Sequence, residues 1–314
     1  MVVNKLGVTQ KLEELASENS LNSSISVLNL PAMRYCERSC PGCVTGEMSA
    51  DPDKRMNYAE ILDVMDYFSD HLGTKIVTIN GRGDPFHPQV KDETLLKVNH
   101  AALKRQIPYV FTSGDNLDQE TCDVLASCGA NVMVSLFGNR FIDENFFDEK
   151  QYSGRNGVVA DNLRKLISTY AQGEWQPEAG LTRLGMNYVI TEMDLADNGE
   201  KVARLRDAAN ENGLFFVCNV DFGNDGPELR SLAKSLSNFS LDHSTFVDGV
   251  CHMGAGSSAT IDYDGAILRC PYLANEMNDG NFFQMSEQER SALFIGYMYD
   301  KKFSCVLRER PKSS

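Results

Sequence analysis

The sequence has no long hydrophobic run. None of its apolar stretches approaches the roughly 18 residues that a membrane-spanning helix needs. Its first 20 residues also lack the apolar core of a secretory signal peptide, because Lys5, Lys11, Glu13 and Glu14 interrupt them. We therefore expect a cytoplasmic protein with no membrane partner. Internal repeats and low-complexity linkers are absent as well, which argues against a repeat architecture.

The sequence has fewer basic than acidic residues, with 30 Lys and Arg against 44 Asp and Glu, which gives a formal net charge of −14. A protein that binds a nucleic-acid backbone must neutralise its phosphates with Lys and Arg, so we expect no nucleic-acid partner. The acidic balance favours a small, polar substrate that carries amines. Asp143, Glu144 and Asp148 are candidates for attracting ammonium groups, although such a run is usually a solvated face.

Strand-like and helix-like patterns alternate along the chain. Apolar residues alternate in 24–30, which predicts a strand. Residues 57–72 predict a helix that Asn57 caps together with Glu60, and that ends before Gly73. The later predicted elements are strand 75–80, a helix containing Leu95, Leu96 and Leu103, strand 109–112, helix 120–127, strand 131–136, helix 156–170, strand 184–191, helix 198–211 and strand 214–220.

Six strands separated by helices predict a parallel α/β fold, because a parallel crossover needs a helix-sized connection. Six units are too few for a complete eight-unit barrel, so an open partial barrel and a doubly wound sheet both fit. In either fold the functional groups lie on loops that leave the carboxyl ends of the strands.

The alternating pattern ends near residue 223. A polar helix is predicted for 228–237, and Asp264-Gly265 between two apolar runs predicts a hairpin. We expect an N-terminal extension (1–23), an α/β domain (24–222) and a smaller C-terminal domain (223–314).

Nine cysteines in a reducing compartment favour metal ligands or free thiols over disulfides. Cys36, Cys40 and Cys43 place three thiolates within eight residues, directly after the first predicted strand of the α/β domain. Such a trio can bind three irons of a cubane cluster and leave the fourth iron open to a substrate or cofactor. The alternatives are a zinc knuckle and three buried thiols. Zinc usually takes four ligands, and this loop holds no histidine, so the spacing favours the cluster.

Several motifs in 24–222 together resemble the radical S-adenosylmethionine (SAM) superfamily. The CxxxCxxC loop follows the first strand of the predicted domain, and 81–85 (GRGDP) is similar to the family's GGEP motif. Thr112-Ser113-Gly114 is similar to its TNG segment, and 134–136 (VSL) to a strand that contacts SAM. The resemblance implies a partial (β/α)6 TIM-like barrel with a [4Fe–4S] cluster on the cysteine trio. The SAM-binding residues that it implies are Gly81, Gly83, Asp84, Thr112, Ser113, Ser135 and Asn187.

The chemistry that this resemblance implies starts at the open iron, which SAM chelates. One electron from the reduced cluster cleaves SAM into methionine and a 5′-deoxyadenosyl radical, which abstracts a hydrogen atom from the substrate. Such an enzyme also needs an external one-electron reductant of the flavodoxin or ferredoxin type.

A second group of cysteines follows the α/β domain. Cys251 and Cys270 flank the predicted hairpin, with Gly265 between them, and this pattern resembles the twitch and SPASM extensions of radical SAM enzymes. Cys305 is where such domains return a further ligand. The resemblance implies a small hairpin-plus-helix domain with an auxiliary [4Fe–4S] cluster. The alternative is that these cysteines are separate buried thiols.

Cys218, in the sixth predicted strand, allows three interpretations. It is a fourth ligand of the auxiliary cluster, a hydrogen-atom donor to the substrate radical, or a core residue. A ligand predicts a dehydrogenase and a donor predicts an epimerase, as in radical SAM enzymes of aminoglycoside and other antibiotic biosynthesis. We rank epimerisation first, dehydrogenation second and peptide modification third.

Polar residues at strand ends suggest a small, polar, sugar-like substrate. Asn187, Tyr188, Glu192 and Asn219 are candidates for contacts with its hydroxyl groups. Cys122 and Cys128 lie six residues apart on one predicted helix, which is not ligand spacing, so we expect them in the core. The rival from another class is a non-enzymatic iron–sulfur electron carrier or a zinc-stabilised binding protein.

Overall fold

The computed structural model describes residues 5–18, 24–32, 35–36, 38, 40, 52–80, 83–137, 142–148, 152–172, 180–220, 226–238, 246–247, 250–251, 256–268 and 278–300. The helices are α1 (Gly7–Ser17), α2 (Tyr58–Asp70), α3 (Lys91–Leu103), α4 (Gln119–Ser127), α5 (Gly154–Gln172), α6 (Glu200–Glu211), α7 (Pro227–Leu236) and α8 (Glu287–Asp300). The strands are β1 (Lys5–Leu6), β2 (Val27–Asn29), β3 (Ile76–Ile79), β4 (Ile107–Thr112), β5 (Asn131–Phe137), β6 (Leu181–Thr182), β7 (Leu184–Ile190), β8 (Phe215–Val220), β9 (Phe246–Val247), β10 (Val250–Cys251), β11 (Ser258–Ile261), β12 (Ala266–Leu268) and β13 (Asn278–Asn281).

The main sheet has the order β13-β12-β11-β2-β3-β4-β5-β7-β8 within the described residues. From β2 to β8 each strand runs parallel to its neighbour in the sheet. Helices α2 to α6 lie in the five connections between these strands. The predicted α/β class with a parallel sheet is therefore confirmed, and the carboxyl ends of successive strands meet at one edge.

Helix α2 shows how local sequence fixes an element. Asn57 Oδ1 accepts a hydrogen bond from Glu60 N at 3.1 Å, and Asn57 N donates to Glu60 Oε2 at 2.8 Å. This capping box satisfies two donors that the first helical turn would otherwise leave without partners. Gly73 lies just past the helix with φ +66°, which an L side chain rarely adopts. The predicted start of this helix is confirmed, and the helix ends at Asp70, two residues before the predicted end.

The parallel strands carry a core on each face. The face of the sheet that packs under the helices is called the outer face here. Its core, the outer-face core, includes Val134, Met186, Phe216, Leu163 and Leu205. The opposite, inner face packs against α1; examples are Met133, Phe215, Val217, Val8 and Leu12. Because Val8 N donates to Asn131 Oδ1 at the first residue of β5, α1 covers the amino ends of the strands. The carboxyl edge of the inner face is thus the edge that the helix does not cover.

The predicted hairpin is confirmed as β11 and β12, which pair antiparallel. Gly265 has φ +82° and donates its N–H to Asp262 O at 2.9 Å, so the turn needs a residue that tolerates a left-handed backbone. Strand β11 also pairs in parallel with β2, with Thr260 opposite Asn29. The hairpin therefore extends the same sheet as the parallel strands.

Two helices were not anticipated from the sequence. Helix α1 lies inside the predicted N-terminal extension, and α8 follows β13. The Phe294 ring of α8 lies 4.9 Å from the Phe68 ring of α2, between ring centroids. Among the described helices, none is both long and apolar enough to cross a bilayer.

Candidate active site

The cysteine loop begins at the carboxyl end of β2. Cys36 is exposed and Cys40 is half-buried, and each carries a thiol rather than a disulfide. Arg38 N donates to Cys36 Sγ at 3.4 Å. Thiolates are the ligands of iron–sulfur clusters, so the donor chemistry of these two residues fits such a cluster. Cys43, the third predicted ligand, lies outside the described residues.

A buried lysine fixes the start of this loop. Lys97 of α3 is fully buried and donates from Nζ to Leu30 O at 3.2 Å and to Pro31 O at 3.1 Å. It also donates to Glu93 Oε1 at 2.5 Å. Burial lowers the pKa of the Lys97 ammonium, and Glu93 opposes that shift. A charge at this depth requires such partners, so α3 and the end of β2 are held in one arrangement.

Gly83 allows the loop after β3 to touch the cysteine loop. A Cβ on Gly83 would lie 2.5 Å from Tyr35 O and 2.8 Å from Tyr35 N, both backbone atoms. The next residue, Asp84, donates its N–H to Tyr35 O at 2.8 Å. The rings of Tyr35 and His87 stack with centroids 5.3 Å apart. The absence of a side chain at residue 83 is therefore a steric requirement; the predicted partner Gly81 lies outside the described residues.

Replacing Gly83 with alanine will force these two loops apart. We expect a loss of about 1–3 kcal/mol in the free energy of unfolding, the usual cost of overpacking, as measured by urea denaturation. Gly296→Ala is the matched control, because a Cβ on this α8 glycine meets nothing within 4 Å. It should stabilise the chain slightly, through helix propensity. Equal stability of the two variants would contradict the contact between the loops.

Asp84 joins the loop after β3 to the loop after β4. It is 3% exposed. Its Oδ1 accepts from Thr112 Oγ1 at 2.8 Å and from Phe86 N at 3.2 Å. Its Oδ2 accepts from Ser113 Oγ at 2.6 Å and from Asn116 Nδ2 at 3.3 Å. A carboxylate has about four acceptor positions, and these donors use them. Three predicted residues, Asp84, Thr112 and Ser113, are thus brought together, with the carboxylate holding loops in place.

Arg38 joins the cysteine loop to the same cluster. Its Nε donates to Asp115 Oδ2 at 2.6 Å and its Nη2 to Asp115 Oδ1 at 3.0 Å. The same Nη2 donates to Ser113 O at 3.0 Å. The side chains of Arg38 and Asp115 are only 11% and 17% exposed. Burial alone would lower the pKa of the Arg38 guanidinium, but its hydrogen bond and charge pairing with Asp115 outweigh that and raise it. Arg155 also lies near this carboxylate, with Nε 3.6 Å from Asp115 Oδ1.

Polar side chains of β5, β7 and β8 also form a row across the inner face. Asn187 Nδ2 donates to Ser135 Oγ at 2.8 Å, and Asn219 Nδ2 donates to Asn187 Oδ1 at 2.5 Å. Ser135 and Asn187 are direct partners in the sheet register. Two predicted cofactor residues and one predicted substrate residue therefore form one hydrogen-bonded chain. Its groups are a hydroxyl and two amides, which can both donate and accept.

Cys218 does not join these groups. It is fully buried in the outer-face core with Tyr188 and Phe216, whereas its strand neighbours Phe215 and Val217 belong to the inner face. Burial raises the pKa of the Cys218 thiol, with a further contribution from Asp194. This placement supports neither the cluster ligand nor the hydrogen-atom donor that the sequence suggested, and it matches the core interpretation.

Other residues that were predicted to contact a substrate bind partners within the chain instead. The Tyr188 hydroxyl is buried and donates to Asp194 Oδ1 at 3.1 Å, and Glu192 is exposed. Asp143 Oδ1 accepts from Tyr152 Oη at 2.5 Å, and Glu144 pairs with Arg204 of α6 at 2.9 Å. Asp143 and Glu144 therefore give no support to an ammonium-binding role.

The predicted auxiliary-cluster residues fall largely outside the described part of the chain. Cys270 and Cys305 lie outside it, and of Cys251 only the backbone, at the end of β10, is described. Cys122 is buried, and Cys128 donates from Sγ to Asn99 Oδ1 at 3.3 Å.

Sequence reasoning missed Arg38, Asp115, Asn116 and Arg155. One signal was present, because Arg38 is the single cation between Cys36 and Cys40. Its partner Asp115 lies 77 residues away, so no local pattern pairs the two.

Solved structures share this arrangement of helices and strands. Streptococcus suis SuiB bound to precursor peptide SuiA is 15% identical over 97% of this chain and 72% of that chain, with a TM-score of 0.58. SuiB bound to S-adenosylmethionine is 16% identical over 97% and 73%, with a TM-score of 0.59. Native anSMEcpe with bound AdoMet is 13% identical over 89% and 84%, with a TM-score of 0.58. The sequence matches no protein-family model and no curated protein. At these identities the likeness establishes the fold alone.

Proposed function

We propose that the chain is a radical SAM enzyme with a [4Fe–4S] cluster on Cys36, Cys40 and Cys43. The observation that carries this proposal is the meeting of three loops at the carboxyl edge of the sheet. Arg38 in the cysteine loop bonds Asp115, and Ser113 beside it bonds Asp84 of the GRGDP motif. Further support comes from solved structures of the same fold that hold SAM.

When bound, a reduced cluster would supply the electron that splits SAM into methionine and a 5′-deoxyadenosyl radical. The residues of the chain have other tasks. The backbone of 81–85 and the hydroxyl and amide of Ser135 and Asn187 would bind SAM. Asp84, Thr112 and Ser113 would hold the loops around it in a fixed geometry, so that little reorganisation is needed on binding.

We also propose an auxiliary [4Fe–4S] cluster on Cys251, Cys270 and Cys305, and an external reductant of the flavodoxin or ferredoxin type. The hairpin of β11 and β12 lies between Cys251 and Cys270 and pairs with β2, the strand that leads into the cysteine loop. This pairing supports the proposal, because it links the segment that carries two of the proposed ligands to the strand that precedes the first cluster.

The substrate that we propose is small and polar, with hydroxyl or amide groups. Beside the groups that would bind SAM, the inner face presents the Asn219 amide, which supplies an uncharged donor and an uncharged acceptor. These suit sugar-like groups better than they suit a cation. Peptide modification is a second candidate, because one structure of the same fold holds a precursor peptide.

The buried position of Cys218 changes the ranking of reactions. Its thiol packs on the outer face, so the proposal assigns it no step. Epimerisation would need another hydrogen donor, whereas dehydrogenation needs an electron acceptor, such as the auxiliary cluster, and a base or solvent water that takes the proton from the substrate radical. We therefore place dehydrogenation level with epimerisation.

Anaerobic reconstitution with iron and sulfide tests the proposal. We expect about four irons per chain for each cluster, and methionine with 5′-deoxyadenosine after addition of SAM and dithionite. Zinc retained in place of iron, or a cluster that never cleaves SAM, would overturn the proposal and favour a zinc-stabilised or electron-carrier protein.

Turnover in deuterium oxide separates the reactions once a substrate is found. Solvent deuterium at an inverted carbon supports epimerisation through an exchangeable donor. A product lighter by two hydrogens, with no deuterium incorporated, supports dehydrogenation.

A further inference from the structure

We propose that Arg38 is a positioning residue that locks the cysteine loop onto the loops that follow β3 and β4. It would thereby fix where the cluster cysteines lie relative to the groups that bind SAM. This inference rests on the proposed function, and it concerns a residue that is neither a cluster ligand nor a SAM contact in that proposal.

The contacts of Arg38 have the geometry of a clamp. Two of its nitrogens meet the two oxygens of Asp115 at 2.6 and 3.0 Å, and Nη2 also reaches Ser113 O at 3.0 Å. Parallel paired bonds to one carboxylate fix direction as well as distance. The low exposure of both side chains limits screening by solvent.

The segment 113–115, to which Arg38 binds, is itself held in place by other contacts. Asn162 of α5 donates from Nδ2 to Gly114 O at 2.9 Å and to Asp115 O at 3.0 Å. Ser113 Oγ donates to Asp84 Oδ2 at 2.6 Å. Arg38 therefore attaches the cysteine loop to a segment that is held from two sides, and a displacement of the guanidinium would be transmitted to Cys36 and Cys40.

The charges around Asp115 make the test practicable. When Arg38 is replaced, Arg155 still faces this carboxylate at 3.6 Å. The variant is thus left with a partly compensated anion rather than an isolated one, and the chain should fold. Lysine preserves the charge at residue 38 but presents one nitrogen instead of a planar fork. Charge and geometry can therefore be changed separately.

The experiment uses the anaerobically reconstituted holoenzyme and compares Arg38→Lys, Arg38→Gln and Asp115→Asn with the wild type. SAM affinity is read from the change in the paramagnetic resonance signal of the reduced cluster as SAM is added. The reduction potential of the cluster is measured without SAM. Arg204→Gln is the matched control, because this arginine pairs with Glu144 on the outer surface and is 53% exposed.

We expect Arg38→Lys and Arg38→Gln each to weaken SAM binding at least about tenfold, as loss of supporting contacts around metal sites does. The potential should become more negative in Arg38→Gln, because a nearby positive charge favours the added electron. It should become less negative in Asp115→Asn and stay near the wild-type value in Arg38→Lys. Arg204→Gln should match the wild type in both measurements.

Two results would overturn the assignment. One is wild-type SAM affinity in Arg38→Lys, which would leave no role for the fork. The other is an unchanged potential in both Arg38→Gln and Asp115→Asn, which would place the pair away from the cluster. If the paramagnetic resonance signal of the wild-type cluster does not change when SAM is added, the proposed function is overturned, and the Arg38 assignment with it.

Discussion

Replacing Cys40 with alanine should remove the first cluster and abolish SAM cleavage while leaving the chain folded. Only two thiolates of the trio then remain, and two cannot hold three irons of a cubane. With an auxiliary cluster present, iron should fall from about eight to about four per chain, and 5′-deoxyadenosine formation should fall to background. Cys40 is half-buried and belongs to none of the hydrophobic cores, so the thermal unfolding of the apo chain should change little.

Two further variants make this result specific. Cys128→Ala removes a half-buried thiol that bonds Asn99 between helices, and it should keep both the iron content and SAM cleavage. Cys270→Ala should lose the other set of about four irons and still cleave SAM. Full iron content and SAM cleavage in Cys40→Ala would contradict the cluster assignment outright.

The parts of the fold that the sequence predicted are those with a local or periodic signal. Asn57, Glu60 and the spacing of apolar residues predict helix α2. The parallel direction of these strands follows from the alternation of strands and helices, because parallel neighbours need crossovers. The turn at Gly265 is equally local.

The side-chain directions of β8 could not be predicted in this way. Its residues 215–218 are all apolar and all buried, because helices cover one face and α1 covers the other. A strand that is apolar on both faces carries no alternation that tells inner from outer. The sequence pattern therefore leaves the direction of the Cys218 side chain open, and the structure places it in the outer-face core with its register partner Tyr188.

The residues of the candidate site also divide into those that the sequence indicates and those that depend on contacts between distant loops. The resemblance to the radical SAM superfamily implied Asp84, Thr112, Ser113, Ser135 and Asn187. The first three follow or end predicted strands, and the carboxyl ends of parallel strands meet. The sequence could not foresee that the four acceptor positions of Asp84 are used by donors from these loops. Nor could it pair Arg38 with Asp115, since that contact depends on how far each loop folds back over the sheet.

Replacing Lys97 with methionine should cause a large loss of stability. The ammonium is fully buried, and its three partners are Leu30 O, Pro31 O and Glu93. Methionine fills similar space but removes the ammonium that donates to both carbonyls. It also leaves Glu93, 2% exposed, with Arg55 as its remaining cation. Removing one partner of a buried charge pair lowers the free energy of unfolding by about 3–5 kcal/mol. Urea denaturation will measure this loss.

The consequence of Lys97→Met extends to the site, because Leu30 and Pro31 lead directly into the cysteine loop. We expect the variant to take up less iron than the wild type even where it is still folded. Lys104→Met is the control, since this lysine follows the same helix and pairs with Asp66 and Asp70 at the surface; its urea midpoint should barely move. The double variant Lys97→Met/Glu93→Leu removes both buried charges and should regain part of the lost stability. If the double variant is less stable than Lys97→Met by the full cost of Glu93→Leu alone, the two residues act independently, and the charge pair does not fix the end of β2.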